Sequence, residues 1–210
     1  QNTRVPQAIN FLLATLVVIV QEGRDPRLAF AWLAFVALLA TARLVVEWHY
    51  SRLSESQQGA HHWRFLACAA AAASGLLWSL GGAMFILGAS EQQQFFVSFV
   101  IAGLVAGAVP ALGAIPLAFR LFAVPTILSV ALCGFSQAHT VLGLAFSGCG
   151  VLFLLGMLST AGRFYGVLHE AIVLEAAQST LVADLQRTSE DAMAASVAKS
   201  RFLATVSHEL

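Results

Sequence analysis

The sequence predicts an all-α membrane protein: about six transmembrane helices followed by a long cytoplasmic signalling helix. Three observations predict it. Apolar residues make up 59% of the chain and charged residues only 10%, where a soluble domain carries roughly a quarter charged residues. The apolar residues are gathered into runs close to the ~20 residues that a helix needs to cross a hydrocarbon core. Beyond Phe164 the composition turns polar and charged, without proline and with little glycine. A mean hydropathy of +0.80 is more apolar surface than a water-soluble fold of this size can hide, so lipid is the expected solvent.

The runs follow one another in order. Pro6 to Val20 is the first and the shortest. Leu28 to Val46, Trp63 to Leu87, Phe95 to about Leu112, about Leu117 to Phe135, and Val141 to Phe164 follow. Their connections are polar or short. Gln21 to Arg27 contains Pro26, Glu47 to His62 is the longest, and Gly88 to Gln94 carries Glu91 and three glutamines. Ser136 to Thr140 is brief, and Gly113 to Pro116 makes a turn between the fourth and fifth runs. The expected domains are a transmembrane sensor or anchor over 1–164, a coiled-coil-like linker helix over 165–197, and the start of a further domain over 198–210. Because the chain begins at Gln1 and not at methionine, it reads as a piece of a longer protein. The first run lacks a small-residue cleavage site and is read as a retained helix.

Lysine and arginine placement sets the orientation. With the N-terminus inside, Arg4, Arg43, Arg52, Arg64, Arg120 and Arg163 fall on the inner side and only Arg24 and Arg27 on the outer. Trp48, Tyr50, Trp63, Phe164 and Tyr165 then lie near the interfaces, where amphipathic rings settle. This places both termini on the cytoplasmic side of the membrane. A net charge of zero argues against a nucleic-acid partner, which would need a basic face.

Small residues recur at four-residue spacing, as Gly103 with Gly107 and, more loosely, Gly75, Ser79 and Ala83. Such positions let helices approach closely, either at a dimer seam or inside the bundle. Pro110, Pro116 and Pro125 crowd one region, as hinges or as helix ends. Ser74, Trp78, Ser79 and Ser98 are polar or amphipathic groups at membrane depth that either line a pocket or bond to nearby backbone. Arg43, Glu47 and Arg120 are the ionisable groups closest to the spans, each near enough to an end to reach the interface. So few charges disfavour a transport pathway. His49, His61 and His62 cluster in the inner loop and read as a mildly basic surface near anionic lipid. His139 and His169 lack partners at ligand spacing, and Cys68, Cys133 and Cys149 are widely separated in apolar runs, so no metal site is expected.

Beyond Phe164, Leu181, Leu185, Thr188, Ala192, Ala195, Lys199, Phe202, Val206 and Leu210 fall on one helical stripe with alternating three- and four-residue steps. Thr188 and Lys199 weaken it, as suits either a helix that changes state or a plain linker. The chain then ends Lys199-Ser200-Arg201-Phe202-Leu203-Ala204-Thr205-Val206-Ser207-His208-Glu209-Leu210. At roughly 100° per residue His208 lies about 180° from the centre of the stripe formed by Phe202, Leu203, Val206 and Leu210. A partner helix can bury the stripe while the imidazole stays accessible.

That terminal run resembles the start of the phosphoacceptor box of bacterial sensor histidine kinases. The six-run region is similar, by architecture alone, to membrane sensor modules that precede kinase and diguanylate cyclase domains. The resemblance implies that His208 accepts the γ-phosphoryl group of ATP and that Glu209 takes the proton from the imidazole. It implies Mg²⁺ with ATP, a homodimer, and a response-regulator receiver domain as acceptor of the phosphate. The Arg-Thr-Pro-Leu that follows in that family and the Gly-rich ATP-binding domain are not among these residues, so the chain by itself is expected to bind no cofactor and to be inactive. Short outer loops leave a signal to arrive through the membrane, as an apolar molecule, or through a partner. Two other readings compete: a membrane anchor or dimerisation scaffold, and a transporter-like subunit without a kinase role.

Overall fold

A computed structural model describes residues 4–21, 25–50, 52, 61–136 and 140–208. For Arg4, Glu47, Tyr50, His61, His62, Ala183, Asp191, Ala192 and residues 194–208 it describes the backbone alone. All regular structure among these residues is helical: α1 (Arg4–Val20), α2 (Pro26–Tyr50), α3 (His61–Ile86), α4 (Glu91–Leu112), α5 (Pro116–Phe135) and α6 (Val141–His208).

Five of these helices are long and apolar enough to cross a membrane, over Pro26–Val46, Trp63–Ile86, Glu91–Leu112, Pro116–Phe135 and the first part of α6. The chain is accordingly a membrane protein. The first apolar run also folds as a helix, but its 17 residues reach only about 25 Å, short of the ~30 Å hydrocarbon thickness. Large apolar side chains face outward along the bundle; Phe65 is 76% exposed and Phe99 77%. Lipid is the solvent that tolerates such rings.

Helix ends follow local chemistry. α4 starts at Glu91, four residues ahead of the apolar run, because Ser90-Glu91-Gln92-Gln93 forms a capping box. The Ser90 hydroxyl accepts from the Gln93 N–H at 3.4 Å, and the Gln93 carboxamide oxygen accepts from the Ser90 N–H at 3.1 Å. Two orphan donors of the first turn are thereby satisfied. The expected loop over Gly88–Gln94 is thus shorter than its polarity suggested. Gln93 also donates to the Val20 carbonyl at 3.2 Å, tying the end of α1 to the start of α4. Gly88, with φ 69°, supplies the left-handed turn just beyond α3. Pro116 opens α5, where a missing N–H costs nothing. Pro110 and Pro125, by contrast, lie inside α4 and α5. After Tyr165 the described part of α6 contains no proline and one glycine, Gly166, and its backbone is helical from Val141 to His208.

The tightest seam joins α3 to α5. A Cβ added at Gly75 would stand 2.7 Å from the carbonyl oxygens of Leu121 and Phe122, so only glycine allows this approach. The fully buried Thr126 hydroxyl lies 2.6 Å from the Phe122 carbonyl and 3.2 Å from that of Gly75. It can donate along its own helix or across the seam. Trp32 of α2 lies against α3 above Gly81, where an added Cβ would stand 2.5 Å from the indole. Its Nε1 donates to the Leu77 carbonyl at 2.8 Å, and its ring meets Trp78 and Phe85 edge-on, each at 5.2 Å between centroids. Ser147 of α6 donates to the Ala131 carbonyl of α5.

The chain forms two compact units, Gln1–Tyr165 and Gly166–Leu210. The first holds the bundle. In the second, Leu174, Leu181, Val182 and Leu185 are exposed.

Candidate functional site

His208 is the last residue of α6, and the backbone of its whole approach from Lys199 is helical. Its side chain lies outside what is described, as do those of Phe202, Leu203 and Val206; Glu209 and Leu210 lie outside the described residues altogether. The expected phosphoacceptor role of His208 therefore rests on sequence order and helical register alone.

Inside the bundle, the helices build a cavity of about 170 Å³. Its lining comes from the early part of α1, the late part of α2, the middle of α3, the late half of α4 and Phe122 of α5. A second cavity of about 90 Å³ is lined instead by the start of α4, the end of α5 and the start of α6. This pairing of early with late segments is what helices alternating in direction produce, so the two cavities belong to opposite ends of the bundle. The smaller one is bordered by Glu91, Gln94 and Thr140 and opens among polar residues.

The larger cavity is mixed in character. Arg43 of α2 donates from Nη1 to the Ser74 hydroxyl of α3 at 3.2 Å. Asn10 of α1 accepts from the Trp78 indole N–H at 2.9 Å, which fixes that carboxamide between α1 and α3. Gln7, one turn before Asn10, is 8% exposed, and its Oε1 has no hydrogen-bond partner. Leu13, Leu104 and Phe122 supply apolar wall. On α4, a Cβ added at Gly103 or Gly107 would meet nothing within 4 Å. That glycine pair therefore keeps space open and does not clasp another helix of the bundle.

Of the polar groups expected at membrane depth, Ser74 lines the cavity and Trp78 is buried behind it through its bond to Asn10. Ser98 bonds back to the Gln94 carbonyl of its own helix at 2.7 Å, and Ser79 is half-buried. Arg43 is half-buried. Its guanidinium donates to the Ser74 hydroxyl of α3. Arg120 is exposed. Gln7 and Asn10 escaped the sequence reading. Their signal was present, as two carboxamides three residues apart in an otherwise apolar run, which puts them on one helix face.

The histidines around the α2–α3 connection do not assemble a site among the described residues. The His49 ring lies 6.2 Å from that of Trp63, while the side chains of His61 and His62, and all of His139, lie outside the described residues. Arg52 stacks on Trp48, 3.8 Å from the ring centroid. No group of three or more metal-ligating side chains occurs among the described residues, and the three cysteines are free thiols. No protein-family model, curated protein or solved structure matches the chain.

Proposed function

We propose that the chain is the membrane sensor region and first phosphoacceptor residues of a bacterial two-component histidine kinase. The observation that carries the reading is the run Lys199-Ser200-Arg201-Phe202-Leu203-Ala204-Thr205-Val206-Ser207-His208-Glu209-Leu210. A lone histidine on a helix is ordinarily a surface residue; the order of its neighbours is what singles out His208. Supporting it, the backbone is helical from Val141 to His208, and the excess of arginine at one set of helix ends favours an orientation with that histidine on the ATP side of the membrane.

In this mechanism one imidazole nitrogen of His208 attacks the γ-phosphorus of ATP, and ADP leaves. Glu209 accepts the proton from the other ring nitrogen, which sustains the nucleophile as charge moves onto phosphorus. Mg²⁺ and an ATP-binding domain outside these residues supply positioning and charge stabilisation. The phosphohistidine then passes its phosphoryl group to an aspartate of a response-regulator receiver domain. Exposed Leu181 and Leu185 supply part of the apolar stripe by which two copies would pair.

The test uses the full-length protein in membrane vesicles with labelled ATP. His208→Ala is expected to remove all acid-labile label while membrane insertion persists. Glu209→Gln is expected to slow labelling by about a hundredfold or more, the usual contribution of a positioned base, with little change in ATP affinity. Full labelling of the His208→Ala protein would overturn the assignment.

A further inference from the structure

We propose that the Arg43 cavity is a binding site for an amphiphile with one anionic head group, a carboxylate or a phosphate on an acyl chain, which enters sideways from the lipid. The inference deepens the sensor reading by naming a ligand class, but binding can be measured without any phosphorylation.

The first argument is charge. An arginine at membrane depth is costly unless it is partnered. The guanidinium carries five N–H donors, and Arg43 gives one hydrogen bond, to a neutral hydroxyl. No carboxylate pairs with it among the described residues. A cation lining the cavity, with no carboxylate on it among the described side chains, favours an anion over a neutral head, and oxygen acceptors in a planar or tetrahedral head suit its forked donors.

The second argument is the orphaned carboxamide. Gln7 lines the same cavity, is 8% exposed, and leaves Oε1 unpartnered. A buried polar group without a partner is destabilising. The two ends of a carboxamide exchange by a flip of its terminal torsion, so Gln7 can present either a donor or an acceptor at that position. Arg43 and Gln7 line the same cavity, one with a charge and the other with a carboxamide.

The third argument is access. Gly103, Gly107 and Ala111 on α4 and Pro6 and Ile9 on α1 border the cavity and are themselves exposed. The cavity therefore opens on the flank of the bundle between α1 and α4. The missing side chains of Gly103 and Gly107 leave room there. An acyl chain whose head sits at Arg43 can leave through this gap and lie against Leu104 and the neighbouring lipid. A soluble anion has no tail to bury in this gap, and a neutral lipid would leave Arg43 without a counter-charge.

The experiment uses the purified full chain in phosphatidylcholine nanodiscs with two photoreactive probes, a long-chain fatty acid and an anionic phosphatidylglycerol. At least one is expected to crosslink to cavity residues such as Leu104 or Phe122. Which probe labels distinguishes a free fatty acid from a membrane phospholipid as the source. Arg43→Gln is expected to reduce labelling about tenfold or more, as loss of a charge-assisted contact does. Arg43→Lys should retain part of it. Gly107→Leu should abolish labelling by filling the opening, with helicity unchanged and Arg43 intact, so the outcome does not hang on one variant folding. Glu47→Gln, one turn further along α2, should preserve or strengthen labelling by removing negative charge. The methyl ester of the fatty-acid probe should not label the site. Equal labelling by the ester, equal labelling of Arg43→Gln, or no cavity labelling by either anionic probe would overturn the proposal. So would a loss of self-association in Gly107→Leu without any lipid labelling of the unaltered protein, which would make the gap a contact between copies.

Discussion

Two glycine faces of the bundle look alike in sequence and serve opposite ends. Gly75 lies beneath the carbonyls of Leu121 and Phe122, so close that a methyl group has no place. Gly103 and Gly107 face space with no atom within 4 Å of an added Cβ. The first glycine makes a seam; the second pair leaves an exposed, unpacked face beside a cavity. A spacing of small residues therefore identifies a helix face but not its use, which depends on what the neighbouring helix brings to it. On α5 that is the backbone around Leu121 and Thr126. Beside α4 it is a cavity holding Arg43, Gln7 and Asn10.

The contrast is open to mutation. The largest effect is expected at Gly75. Gly75→Leu forces α3 and α5 apart and should abolish recovery of monodisperse protein in detergent. Gly75→Ala should destabilise by at least about 1–3 kcal/mol, the usual cost of overpacking, read as a lowered midpoint of thermal unfolding. Trp32→Ala comes next. It removes an indole that fills the gap above Gly81, meets Trp78 and Phe85, and bonds to the Leu77 carbonyl. A loss of about 3 kcal/mol or more is expected from the cavity left behind. Thr126→Val keeps the shape and deletes the hydroxyl shared between the Phe122 and Gly75 carbonyls. Its effect should be about 0.6 kcal/mol, typical of polar contacts between membrane helices. The smallest change is expected at Gly107→Ala, which meets nothing and gains about 0.5–1 kcal/mol of helix propensity. A destabilisation there equal to that of Gly75→Ala would erase the distinction between the two faces.

The fold class and the number of apolar runs were legible because lipid imposes long, nearly charge-free helices, a pattern visible in composition alone. Helix ends were less so. The Gly88–Gln94 segment looked like a loop because glutamines are polar, yet Ser90 and Gln93 spend that polarity on capping α4. Gly75 was visible as part of a small-residue series, but Gly81 was not, since its role depends on Trp32 arriving from another helix. The cavity was hidden for the same reason. Gln7, Asn10, Arg43 and Ser74 are scattered over three helices, and only packing brings them together. Local periodicity placed Arg43 near a helix end but could not show that Ser74 waits beside it. The phosphoacceptor run has the reverse character: its information is entirely local, in a dozen consecutive residues around His208.

The assignment turns on where phosphate resides. Full-length protein in membrane vesicles, incubated with ATP and Mg²⁺ and digested under alkaline conditions that preserve phosphohistidine, can be mapped by mass spectrometry. The phosphoryl group is expected on His208, in a peptide that loses it in acid. Phosphate confined to another residue, or none at His208 while ATP is turned over, would contradict the kinase reading.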